Sequence, residues 1–153
     1  MPAITCTTIP LPATSPPSSP TDRQTPRIKS LIVDDNGITA KVLCKILSKE
    51  FGYSTTCAVS GKEALVKLSQ EVFDVIFMDI DMPELSGIET TMAIHSKGSV
   101  VLEANRTIPI IAYTTNPCDS KYFEAGMNGW VGKPANQITV RKELERVCIS
   151  MSS

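Results

Sequence analysis

Phe73-Asp74-Val75-Ile76-Phe77-Met78-Asp79 reads as the most apolar strand of the chain, closed by an acid. A short run that is apolar on both alternating faces fits a strand covered by helices on each side. Outward toward the N-terminus, Ser60-Gly61 turns into a helical period carrying Ala64, Leu65 and Leu68. Residues 53–59 are rich in β-branched and aromatic types and suit a strand. Before them, Ile38, Val42 and Ile46, with Leu43 and Leu47 beside them, recur at helical spacing until Phe51-Gly52. Residues 28–33 form another apolar strand, halted by Asp34-Asp35-Asn36.

Outward in the other direction, a helix from about Ser86 carries Ile88, Met92 and Ile94 and frays near Lys97-Gly98. Residues 96–106 are too long for a tight link and predict a surface loop. Residues 107–113 read as a fourth strand, interrupted near its start by Pro109. A short helix through Tyr122 and Phe123 ends at Gly126, a residue suited to a helix C-cap. Residues 128–131 make a short fifth strand, and a last helix from about Asn136 repeats Val140, Leu144 and Val147. Strands alternating with helices predict an α/β fold: a parallel sheet with both faces covered and right-handed crossovers. The expected architecture is a flavodoxin-like, doubly wound (βα)5 sandwich with strand order 2-1-3-4-5.

In such sheets a site forms beyond the carboxyl ends of the strands, where the strand order reverses. The polar residues that stop the apolar strands fall there. Asp34 and Asp35 end the first strand, Asp79 the third, Thr114 follows the fourth and Lys133 the fifth. Each alone is weak, since an Asp pair is often a helix cap and a Lys-Pro is common on surfaces. Together they predict three converging carboxylates, which need a cation. A few carboxylates with waters and a substrate phosphate is how Mg²⁺ is usually held. Lys133 adds positive charge, the Thr114 hydroxyl can donate to a phosphoryl oxygen, and Asp79 can attack phosphorus to form an acyl phosphate.

With these pieces in place, the sequence resembles the receiver domain of two-component response regulators, over about residues 27–150. The resemblance is carried by Leu31-Ile32-Val33-Asp34-Asp35-Asn36, Ser60-Gly61-Lys62-Glu63-Ala64-Leu65, the strand ending in Asp79-Ile80-Asp81-Met82-Pro83, and Ser86-Gly87. It continues through Ile108-Pro109-Ile110-Ile111-Ala112-Tyr113-Thr114, Glu124-Ala125-Gly126-Met127 and Trp130-Val131-Gly132-Lys133-Pro134. It implies Asp79 as phosphoacceptor and Asp34 and Asp35 as the acidic metal pair. It also implies Mg²⁺ ligated by Asp35, Asp79 and the Asp81 backbone carbonyl, Thr114 as switch hydroxyl and Lys133 as partner of the phosphoryl group. A cis Lys133-Pro134 bond and Trp130 as the aromatic that follows phosphorylation belong to the same set. Between Thr114 and Lys133 the chain is shorter than the family's usual spacing, so the fourth helix is expected to be truncated. Asp81 and Asn116 flank the site and are placed to tune the lifetime of an acyl phosphate.

The sequence is further similar to plant stand-alone response regulators of type C. That resemblance implies a phosphohistidine partner, either a histidine-containing phosphotransfer protein or a histidine kinase. It also implies a role in draining phosphate in cytokinin-type signalling, with no output domain. His95 sits outside any recognisable phosphodonor motif. The competing reading is a haloacid-dehalogenase-like phosphohydrolase, since Asp79-Ile80-Asp81 after an apolar strand fits that family's D-x-D nucleophile. Against it, an earlier strand with its own Asp pair precedes the motif.

Residues 1–26 hold seven of the eleven prolines, mixed with Ser and Thr, and read as a disordered tail ahead of the domain. With 15 basic and 16 acidic residues, the chain shows no basic stripe for nucleic acid and no apolar run long enough to span a membrane. Five cysteines without a C-x-x-C pair or secretory signal are expected to be reduced thiols, placing the protein in the cytoplasm or nucleus.

Overall fold

The computed structural model describes residues 28–152, with side chains through Val147. The proline-rich segment 1–26 lies outside the described residues, as do the side chains of Cys6 and Cys148. Five strands form one parallel sheet: β1 (Lys29–Val33), β2 (Ser54–Ala58), β3 (Val75–Met78), β4 (Ile110–Thr114) and β5 (Gly129–Gly132). Their order is β2-β1-β3-β4-β5, so the chain reverses its direction of growth between β1 and β3. The helices are α1 (Gly37–Lys45), α2 (Gly61–Leu68), α3 (Gly87–His95), α4 (Ser120–Glu124) and α5 (Gln137–Ser152). The expected flavodoxin-like, doubly wound sandwich is the observed one.

Two apolar layers cover the sheet. Leu43 and Leu47 pack with Val140, Leu144 and Val147 of α5 against Ile32, Phe77 and Ile111. On the other face Ala64, Leu68, Ile94 and Tyr122 pack against Leu31, Val33, Ile76 and Met78. All four residues of β3 are buried, which is why its sequence is apolar without alternation.

Several details differ from the sequence expectation. In α1 the buried positions are Ala40 and Leu43, with Leu47 following on the π-helical turn Ile46–Glu50, whereas Ile38 is 76% exposed and Val42 38%. Both spacings are helical, and only the helix's rotation against the sheet selects between them. In α3, Thr90 and Thr91 are buried and Met92 is exposed. The fourth strand begins at Ile110, because Pro109 has no N–H to give the ladder and residues 103–107 close a 3₁₀ turn instead.

Residues 96–106 are more than the surface loop expected of them. Val101 is buried and Asn105 is fully so. Its Nδ2 donates to the carbonyls of Leu68 (2.8 Å) and Glu71 (2.9 Å), and its Oδ1 accepts the Phe73 N–H (2.9 Å). One amide thus bonds three backbone groups at the entry to β3, where the chain leaves α2, and the Leu68 carbonyl also accepts the Leu102 N–H (3.0 Å). α4 has five residues, as short as expected, and Gly126 behind it has φ +113, a conformation a side chain would resist. Asn105→Ala should leave the Glu71 carbonyl and the Phe73 N–H without this partner inside the protein and lower the free energy of unfolding by about 2–4 kcal/mol. Equilibrium urea denaturation checks this. A loss near zero would mean that water replaces the amide.

Candidate functional site

The strand ladder continues one residue past the strand ends and thereby fixes the site's backbone. Asp34 N donates to Ala58 O (3.0 Å), Asp79 N to Val33 O (2.8 Å) and Lys133 N to Thr114 O (2.9 Å). Because β1 and β3 are adjacent, Asp34 and Asp79 emerge side by side at the point where the order reverses.

Asp34 is buried, and its carboxylate is fully engaged. Oδ1 accepts the Asn36 N–H (2.9 Å), and Oδ2 accepts the Thr39 hydroxyl and lies 3.0 Å from Lys133 Nζ. Asn36 in turn caps α1, its side chain accepting the N–H groups of Ile38 (2.9 Å) and Thr39 (3.3 Å). Lys133 Nζ also lies 3.4 Å from Asp79 Oδ1 and 4.9 Å from the centre of the Tyr113 ring. The Tyr113 hydroxyl donates to Thr39 O (2.8 Å), joining β4 to α1 beneath the site. The Lys133-Pro134 peptide is cis.

At the rim, Asn116 has three partners. Its N–H donates to Thr114 Oγ1 (3.1 Å), its Nδ2 to Asp81 Oδ2 (2.7 Å), and its carbonyl accepts the indole N–H of half-buried Trp130 (3.0 Å). Thr114, itself buried, keeps its own hydroxyl hydrogen to donate. Behind this rim Gly87 opens α3 so close to the site that a Cβ would fall 2.1 Å from Asp79 O.

Asp34, exposed Asp35 and Asp79 bring carboxylate oxygens within 4.8 Å of one another. One lysine faces three carboxylates, and Asp79 is 5% exposed. Burial chiefly, and the Asp34 charge next, push the Asp79 carboxyl up to about 7, with Lys133 pulling the other way. Such an all-oxygen set with excess negative charge fits a hard dication of the Mg²⁺ type. With Asp34 already committed to Lys133, Thr39 and Asn36, the carboxylates of Asp35 and Asp79 are the ones available to hold it. The Asp81 carboxylate is turned to Asn116, so only its backbone carbonyl is offered by the sequence expectation.

All the strand-end residues singled out in the sequence are therefore in one place: Asp34, Asp35, Asp79, Thr114 and Lys133, with Asp81, Asn116 and Trp130 at the rim. His95 lies elsewhere, at the end of α3 against Gly126. Sequence reasoning missed Thr39 and Tyr113. Thr39 stands three residues after a capping Asn, a position from which a hydroxyl can reach back, but nothing local says that it reaches Asp34. Tyr113 reads only as one more strand residue.

A family model, the response regulator receiver domain, matches residues 30–145. The chain is 37% identical to hybrid signal transduction histidine kinase E of Dictyostelium discoideum over 135 residues, 85% of this chain and 7% of that protein. It is 32% identical to probable histidine kinase 6 of Oryza sativa subsp. japonica over 138 residues, 78% of this chain and 14% of the relative. The chain thus spans less than a fifth of the length of either. Among solved structures it is similar to the receiver domain of sensor histidine kinase PA1611 from Pseudomonas aeruginosa, which has magnesium coordinated in its active-site cleft. There the TM-score is 0.68 and the identity 28%, covering 80% of this chain and 98% of that one. It is also similar to a chain in the complex of the Saccharomyces cerevisiae histidine phosphotransfer protein Ypd1 with the receiver domain of Ssk1. That match has TM-score 0.68 and 30% identity, covering 82% of this chain and 92% of that one.

The raised Asp79 carboxyl sets a pH dependence. The folded, metal-free protein holds a proton up to about pH 7 that the unfolded chain has released above its ordinary value of 3.8. This group's contribution is therefore fully present below that value and is lost as pH rises through 7. In chelator, Asp79→Asn should gain on the parent protein by about 1–3 kcal/mol between pH 5 and 7.5, read from urea midpoints. Parallel pH profiles for the two proteins would contradict it.

Proposed function

The chain belongs to the response regulator receiver family, and we propose that in it Asp79 accepts a phosphoryl group from a phosphohistidine protein. The observation that carries the reading is the convergence of Asp79 with Asp34, Asp35 and Lys133 at the β1/β3 switch point, with Thr114 beside them. In the proposed reaction an Asp79 carboxylate oxygen attacks phosphorus in line. The P–O bond forms as the P–N bond to the donor imidazole breaks, and the imidazole leaves with a proton.

Each of the chain's residues has a part in this. Asp34 holds the Lys133 ammonium at 3.0 Å, so that its charge meets the phosphoryl oxygens without search. Thr114 donates its hydroxyl to one of those oxygens. The buried setting keeps bulk water from Asp79 while the charges form. Asp35, Asp79 and the Asp81 backbone carbonyl hold Mg²⁺ in this reading, a choice supported by the magnesium in the PA1611 receiver. When bound, the ion supplies the positive charge that three carboxylates and a phosphoryl group require. The partner is a histidine-containing phosphotransfer protein or a histidine kinase, a reading supported by the Ypd1–Ssk1 complex and the hybrid kinase relatives. Asn116, Asp81 and Trp130 form the rim that tunes access to the acyl phosphate, with Trp130 following phosphorylation.

We extend the reading to a stand-alone regulator that drains phosphoryl groups from phosphotransfer proteins in cytokinin-type signalling. It rests on the resemblance to plant type-C regulators and is supported by the likeness to a plant histidine kinase. A cytoplasmic and nuclear setting accords with the free thiols of Cys44, Cys57 and Cys118. Among the described residues no helix is long and apolar enough to cross a membrane.

Mixing a phosphorylated histidine phosphotransfer protein with the chain and Mg²⁺ tests the proposal. The donor should lose label while this chain gains it transiently. Chelation or Asp79→Asn should cut the transfer rate by at least about 100-fold, and Lys133→Ala by about 10–100-fold. A donor that stays labelled, or an Asp79→Asn protein that works equally well, would refute the reading.

A further inference from the structure

We propose that Cys44 and Cys57 are a redox-active dithiol that closes to a reversible disulfide, tying α1 to the edge strand β2. The pair is invisible in the sequence, where thirteen positions separate the two. The parallel register brings them together. Ser30 pairs with Thr55 and Ile32 with Cys57, and paired residues of a sheet share a face. Ile32 belongs to the apolar layer that α1 covers, so Thr55 and Cys57 both face α1. From α1, Cys44 Sγ reaches to 2.9 Å from Thr55 Oγ1, two residues before Cys57 and on the same face of β2.

The two thiols differ in access. Cys57 is exposed on a strand that forms the sheet's outer edge, while Cys44 is half-buried against the core. That asymmetry assigns the order of events with a small-molecule disulfide such as oxidised glutathione. The Cys57 thiolate attacks one sulfur, forming a mixed disulfide and expelling one thiolate of glutathione. Cys44, having given its proton to solvent, then attacks the Cys57 sulfur, forming the internal S–S bond and expelling the second glutathione. Two protein thiols are oxidised, and one glutathione disulfide is reduced to two thiols. Partial burial of its sulfur, then neighbouring Cys44 and the Asp34 charge, push the Cys57 thiol above its ordinary value. Cys118, exposed on the far side of the sheet order, has no cysteine partner among the described residues.

The experiment equilibrates the full chain in graded mixtures of reduced and oxidised glutathione, alkylates the remaining thiols, and maps peptides by mass spectrometry. The expected product is a Cys44–Cys57 cross-linked peptide, 2 Da lighter than the dithiol pair and absent from Cys57→Ser. The oxidised protein should also melt about 5 °C higher than the reduced one, a difference abolished by dithiothreitol and by Cys57→Ser. Glutathione remaining attached at Cys57, both thiols fully alkylated at equilibrium, or bridges drawn instead from Cys6, Cys118 or Cys148 would overturn the proposal. The outcome is independent of whether Asp79 accepts phosphate.

Discussion

Two buried carboxylates, Asp34 and Asp79, share one ammonium, that of Lys133, at 3.0 and 3.4 Å. Burying charges costs several kcal/mol each unless partners replace the lost water, and the rest of the site reads as the set of partners. Asn36 and Thr39 hold the oxygens of Asp34, and Tyr113 supports Lys133 with its ring while anchoring Thr39 through its hydroxyl. The arrangement is still short of positive charge, as the raised Asp79 carboxyl records. A site left one cation short is poorly designed for stability, and a hard dication is the charge it lacks.

The fold makes this crowding unavoidable. Because β1 neighbours β3 and the ladder runs on past both, Asp34 and Asp79 cannot drift apart without breaking backbone hydrogen bonds. The elements around the site are similarly fixed: α3 abuts the Asp79 carbonyl through a glycine, and Asn105 ties the chain entering β3 to the end of α2. Against this rigid frame the rim differs in kind. Thr114, Asp81 and Trp130 all meet at Asn116, each through a single hydrogen bond, with Thr114 buried, Asn116 and Trp130 half-buried and Asp81 exposed.

The sheet, its order and the five strand-end residues were legible because the apolar runs stop at polar residues, and the doubly wound rule says where those stops meet. What was not legible depends on rotation and register. Helical spacing could not choose between Ile38 and Leu43 as the buried side of α1, since both fit the period. Asn105, in a stretch that reads as loop, is buried where its amide meets the backbone of Leu68, Glu71 and Phe73, contacts visible only once the chain is folded. Thr39 and Tyr113 escaped notice for the same reason: their roles lie in contacts across elements. The Cys44–Cys57 pairing emerges only from the register of β1 with β2.

The central claim, that Asp79 is the residue that takes the phosphoryl group, is tested most directly by trapping the acyl phosphate. After brief exposure to a phosphorylated phosphotransfer protein and Mg²⁺, borohydride reduction converts an aspartyl phosphate to homoserine, which tandem mass spectrometry can place in the sequence. The account predicts homoserine at position 79 and only when Mg²⁺ is present. Homoserine at another aspartate, or none while the donor loses its phosphate, would contradict it.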